Sequence, residues 1–268
     1  MSNAMVWINF APLVGIFEKY YETSVSMFDM TSLLFMFVGL PLGFVGTWCL
    51  NTLGLATSIR VAAMLNALGA LVRFGGDFLS TAEQRLAMVM LGQAIAASAQ
   101  PIFLDSPTLL ASHWFGEHER AMANTIASVA NPVGMAVGSI LGPLIVQRGT
   151  DMRWLLLTMA VPPLVALLLS VCFFKERPPT PPSGGAEQHT DPFFVGLRKL
   201  VRNRSYLILL FVFGVGIGLV SSMTSVLGQV TAGQGYTDNQ AGMFSLAMVV
   251  SGLVGAGVSG YLVDKTRR

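Results

Sequence analysis

Residues Trp154–Phe174 read WLLLTMAVPPLVALLLSVCFF, with Arg153 before the run, Lys175 after it and no charge between. At about 1.5 Å per helical residue, such a run reaches about 30 Å, the thickness of a bilayer's hydrocarbon core. The same property recurs along the chain. Met30–Ile59, Leu86–Leu104, Ala121–Gln147, Ser205–Thr237 and Asn239–Val263 are all free of Asp, Glu, Lys and Arg. They predict spans near 27–50, 84–112, 120–146, 153–174, 205–230 and 240–263. Thr57–Phe74 is a further span with Arg60 and Arg73 at its ends, where long side chains reach the interface. Met5–Phe17 is apolar but covers only about 20 Å, so it reads as an incomplete first helix. No alternating ten-residue pattern suggests a barrel, and open strands cannot cross lipid. The expectation is an all-α membrane protein of about eight spans, the first incomplete.

Composition agrees. Charged residues make up 11% and hydrophobic ones 53%, with a mean hydropathy of +0.63. Soluble domains carry about 25% charged residues. A net charge of +2 gives no footing for nucleic acid. Cys49 and Cys172 have no ligand-spaced partner, which argues against a disulfide framework or a zinc site. The opening residues show neither a basic n-region nor a small-residue cleavage site.

One segment breaks the pattern. Lys175–Asp191 contains RPPTPPSGG, whose prolines and glycines favour an extended, solvated linker. After it, Phe193, Phe194, Leu197, Leu200 and Val201 recur at helical spacing beside Arg198, Lys199, Arg202 and Arg204. That is the pattern of a short helix lying on a membrane surface. Lys and Arg are more frequent in the loops on the linker's side, which places that side in the cytosol. Three parts result: a transmembrane bundle over 1–174, a cytosolic linker with its short helix over 175–204, and the first two helices of a second bundle over 205–268.

Six spans, a linker and further spans is the layout of a two-bundle transporter. Several motifs carry a resemblance. The eighth span is followed by GYLVDKTRR, and Gly260, Asp264, Lys265 and Arg268 fit the loop that major facilitator carriers place there. By resemblance these four residues form a conformational latch. The first-half copy departs from the pattern, with Asn51 where the acid is expected and Ala56 near a usual basic position. Gly134, Gly138 and Gly142, ending in Pro143, make a smooth ridge that lets another helix approach closely. More specific are WINFAP from Trp7, ASHWFGEHERA from Ala111, ANPVG from Ala130 and PPTPPS from Pro178. With these strings the chain resembles solute carrier family 49, the feline leukaemia virus subgroup C receptor-related carriers, in a truncated form.

That resemblance implies alternating-access transport of a small organic solute, a choline-like amine or heme, at the plasma membrane. It also implies substrate contacts. Trp7 matches an aromatic on the first helix, Gln100 a glutamine on the fourth and Asn131 an asparagine on the fifth. An aromatic expected on the seventh is replaced by Ser221. The residues themselves point the same way. Gln93 and Gln100 lie seven apart on one helical face, as do Asn124 and Asn131 on the next span. Polar side chains inside membrane helices face the bundle interior. Trp7, Gln93, Gln100, Asn124 and Asn131 are therefore the candidate substrate contacts, with interhelical hydrogen bonding as the competing role of the four amides and packing that of Trp7.

Asp105, between Pro101 and Pro107, is an acid well inside a span. It could hold a cation, couple protons or make a local contact, the last being the default. His113 and His118 are five apart, poor spacing for a shared metal on a helix. No Ser–His–acid cluster or phosphate loop supports enzyme chemistry, and no cofactor is implied. The implied partners are a small-molecule substrate and the lipid bilayer. The competing reading is a truncated, non-transporting membrane protein that acts through partners.

Overall fold

A computed structural model describes residues 1–116, 119–180, 193–237, 240–244, 246–248, 250–252 and 254–255. The latch residues Gly260, Asp264, Lys265 and Arg268, together with His118, lie outside the described residues. The helices are α1 (Ser2–Ile8), α2 (Val14–Tyr21), α3 (Val25–Thr52), α4 (Leu55–Gly76), α5 (Ala82–Trp114), α6 (Arg120–Ile145), α7 (Met152–Cys172), α8 (Phe193–Val201) and α9 (Arg204–Gly233). A further apolar helix covers Gln240–Gly252. Five segments, α3 to α6 and Gly149–Cys172, are each long and apolar enough to cross a membrane. Among the described residues, α8 with the Arg204–Val220 part of α9, bent by 89°, brings the number to six when the pair is counted as one span.

The first apolar run is not one helix. Pro12 lacks an amide hydrogen, and its ring clashes with the carbonyl four residues back. The chain unwinds after Ile8 and is carried to α2 by tight turns, with Ala11 donating to the Ile8 carbonyl and Leu13 to the Phe10 carbonyl. The Val6 carbonyl finds its donor in Arg73, whose guanidinium also donates to the Asn9 side chain, each at 3.0 Å. The same guanidinium lies over the Phe10 ring, 4.5 Å from its centre. Arg73 is thus 1% exposed and stays inside the bundle rather than reaching the interface from its span's end.

Glycines set how closely the helices pack. A β-carbon at Gly138 would stand 2.9 Å from Met5 Cα, one at Gly142 2.7 Å from the Asn9 carbonyl, and one at Gly134 would strike the Met1 carbonyl. The ridge on α6 is therefore the bed of α1, and the four-residue repeat Gly134, Gly138, Gly142 meets Met1, Met5, Asn9 in register. Between α4 and α5, a β-carbon at Gly69 would stand 2.5 Å from the Gly92 carbonyl, and one at Gly92 2.5 Å from the Gly69 carbonyl.

The two ends of the bundle are tied by polar contacts. At the linker end, Gly54 takes a positive φ of 84° and starts α4, whose first amides donate to Glu176: Leu55 at 2.8 Å and Ala56 at 2.6 Å. Arg60 answers the other way, donating to the Ser170 and Phe174 carbonyls at the end of α7. An acid at a helix start and a base at a helix end both complement the helix dipole. Glu176→Ala should cost about 1–2 kcal/mol and lower the melting temperature in detergent by a few degrees. Lys175→Ala should leave it unchanged, and equal melting of the two variants would discount this clasp. At the opposite end, Tyr20 donates to Asp77 at 2.6 Å and Arg153 pairs with Asp77 at 2.9 Å.

Much of the outer surface is apolar. Phe37, Leu40, Phe44, Leu168 and Phe173 are exposed, and so are most residues of α9 from Leu207 to Val220. Such a surface is stable against acyl chains or neighbouring helices, not against water.

Candidate functional site

Gln100 and Asn131 meet in a partly open cleft of about 100 Å³ between α1, α5 and α6. Asn3, Phe103, Pro107 and Ser128 also line it, and it carries no charged side chain. α1 reaches this place because the glycine ridge lets its backbone lie directly on α6. Gln100 stands where α5 passes α3, its Oε1 3.6 Å from the position a β-carbon on Gly39 would take. Neither Gln100 nor Asn131 makes a side-chain hydrogen bond to another described residue, so both amides present unused donors and acceptors to the cleft. A wider, mostly apolar and open lobe of about 650 Å³ shares Met1, Asn3, Phe103, Pro107 and Ala127 with it and extends along α7.

The other three candidates lie elsewhere. Trp7 is 5% exposed and packs with Val6, Phe35, Ala70 and Ala160, its ring 6.2 Å from that of Phe35. Its indole N–H donates to the Ser32 carbonyl at 3.2 Å. Gln93 is fully buried and donates to the Thr31 carbonyl at 3.0 Å, tying α5 to α3. Asn124 accepts a hydrogen bond from Thr108 at 3.4 Å, nearer the linker end. The cleft thus gathers two of the five and leaves Trp7, Gln93 and Asn124 in contacts between helices.

Asn3 was not singled out from sequence. It donates to Asn66 Oδ1 at 3.0 Å and to the Ala96 carbonyl at 2.9 Å, and Asn66 in turn donates to Ser2 Oγ at 3.3 Å. This amide chain fixes α1 to α4 and α5 directly behind the cleft. Asn66 carried a legible signal, a lone amide in the middle of an apolar run. Asn3 carried none, being only the third residue of the chain. Asp105 accepts a hydrogen bond from Thr47 at 2.7 Å and lines a different cleft, toward α8.

A multi-span helical bundle with a proline-broken first span and an amide-lined interior cleft defines a membrane protein built like a secondary transporter. The profile described as the Major Facilitator Superfamily matches residues 1–268, and the chain belongs to that superfamily. It is 36% identical over 273 residues to "Solute carrier family 49 member A3" of Xenopus tropicalis, covering 100% of this chain and 57% of that protein. It is 32% identical over 284 residues to "Choline/ethanolamine transporter FLVCR1" of Felis catus, covering 100% of this chain and 50% of the relative. The chain spans about half the length of these curated relatives. The crystal structure of a D-xylose–proton symporter superposes with a TM-score of 0.66 at 15% identity, over 98% of this chain and 67% of the symporter, and shares the fold.

Proposed function

We propose that this chain supplies the first bundle, residues 1–174, of a carrier that moves a small choline-like amine by alternating access. In this reading residues 175–204 form a cytosolic linker, 205–268 open the second bundle, and the carrier works in the plasma membrane. The observation that carries it is the pair Gln100 and Asn131, two amides that make no side-chain hydrogen bond to another described residue and face a cleft lined by no charged side chain. Amide oxygens accept from a hydroxyl or from the N–H of a primary ammonium such as ethanolamine's, they face the positive methyl shell of a quaternary one without a hydrogen bond, and amide N–H groups donate to a hydroxyl oxygen. The relative whose printed name specifies choline and ethanolamine supports this class of solute. The small volume of the cleft suits a small amine better than a heme macrocycle. Trp7 is kept as a contact of an opened state: it stands four residues beyond Asn3 on α1, one turn deeper than the cleft.

The test is uptake of labelled choline, ethanolamine and heme into proteoliposomes holding this chain, alongside binding of the same solutes. Amine uptake above protein-free vesicles is expected, with heme excluded. Binding without uptake would favour the non-transporting reading, in which the chain acts through partners. No amine binding at all would end the proposal.

A further inference from the structure

At the linker end of the bundle, α3, α5, α8 and the start of α9 border a second, open cleft of about 620 Å³, in which Asp105 and Phe44 are exposed. Its walls are mainly apolar, and three aromatic rings line it, those of Phe44, Phe193 and Tyr206. α8 contributes one helical face, on which Phe193 and Leu197 are four apart. Into this surround projects one carboxylate, Asp105, held by the Thr47 hydroxyl at 2.7 Å. Among the described residues no Lys, Arg or His lies within ion-pair distance of it. Tyr206 is the other titratable side chain lining the cleft, and no basic side chain lines it; Arg198 and Lys199 of α8 are not among its lining residues.

A carboxylate inside a membrane span requires a counter-charge, a proton or a water-filled cavity. Aromatic faces carry negative electrostatic potential and attract cations, most strongly where water is excluded. One anion, three rings and apolar walls complement a cation whose charge sits at the centre of an apolar body. We infer that Asp105, with Phe44, Phe193 and Tyr206, forms a binding site for bulky hydrophobic organic cations, such as quaternary ammonium ions with alkyl arms. The site is separate from the amide-lined cleft and shares no lining residue with it. The ammonium lies against Asp105, the arms fill the space under α8, and Thr47 orients the carboxylate.

Tetrabutylammonium is the probe, its binding measured on the full chain in nanodiscs, with choline measured in parallel. Asp105→Asn should weaken tetrabutylammonium by at least about tenfold while leaving choline binding unchanged. The amide keeps an oxygen for Thr47, so melting should not change. Acidification should weaken tetrabutylammonium binding to the unaltered chain, because a protonated carboxyl has no charge to offer, and should have no effect on the Asn variant. Asp105→Glu should retain most of the affinity. Gln100→Ala should affect choline and spare tetrabutylammonium, so failure of either site shows independently of the other. Wild-type affinity and an unchanged pH profile in Asp105→Asn would overturn the inference.

Discussion

Gly138→Leu is expected to abolish folding of the first bundle, seen as loss of the monodisperse species in detergent. The β-carbon alone would stand 2.9 Å from Met5 Cα and 3.0 Å from the Met5 carbonyl. Both are backbone atoms of a helix held on its other sides by Asn66, Ala96 and Arg73. Overpacking a core costs about 1–3 kcal/mol when neighbours can adjust, and more when they cannot. The gain in helix propensity on replacing glycine is at most about 1 kcal/mol, so the clash wins. The same change at Gly214 of α9, which has open space around it, should be tolerated. If both variants behaved alike, the seam between α1 and α6 would not be the constraint described.

The second large effect is on transport rather than folding. Changing Gln100 and Asn131 together to alanine should reduce amine uptake at low substrate concentration by roughly 100-fold or more. Each hydrogen bond to a charged group, here the N–H of a primary ammonium such as ethanolamine's, contributes about 1.5–3 kcal/mol. Because neither side chain hydrogen-bonds to another described residue, the double variant should melt as the unaltered chain does. Gln93→Ala should behave in the opposite way. It strips the Thr31 carbonyl of its buried donor, so stability should fall by about 1–3 kcal/mol while substrate affinity changes little. Uptake kinetics together with thermal melting separate the two patterns. A double variant with normal uptake would remove the cleft from the substrate path.

The spans could be read from sequence because lipid imposes a single rule, a long uncharged run in helical form. The glycine ridge was legible for a related reason: a repeat of four is a line of missing side chains on one helical face, and only another backbone fills it well. The site was legible in part. Gln93 and Gln100 share an azimuth on α5, but seven residues place them about 10.5 Å apart along its axis. Over that distance the surroundings change: both side chains reach α3, Gln93 at Thr31 and Gln100 beside Gly39, but Gln100 also shares a cleft with α1 and α6. A face read from spacing alone does not contain this change. Trp7 and Asn3 differ by one turn of α1, yet one packs among alanines and the other borders the cleft. Arg73 misled for a different reason. A basic residue at the end of an apolar run reads the same whether it leaves the membrane or turns inward, and the carbonyl that draws it in is created by Pro12, sixty residues earlier in the chain.

That inward arginine bears on how the protein is made. A guanidinium near the end of a lone membrane helix reaches for the interface, so its inward burial depends on acceptors supplied from elsewhere in the chain. Its acceptors on Val6 and Asn9 precede it in the sequence and leave the ribosome first. If those acceptors are placed before the span that carries Arg73 emerges, a segment already inserted would assist that span's insertion. Biogenesis of this chain is then sequential by construction, and damage to its first dozen residues would register as a topology defect some sixty residues downstream.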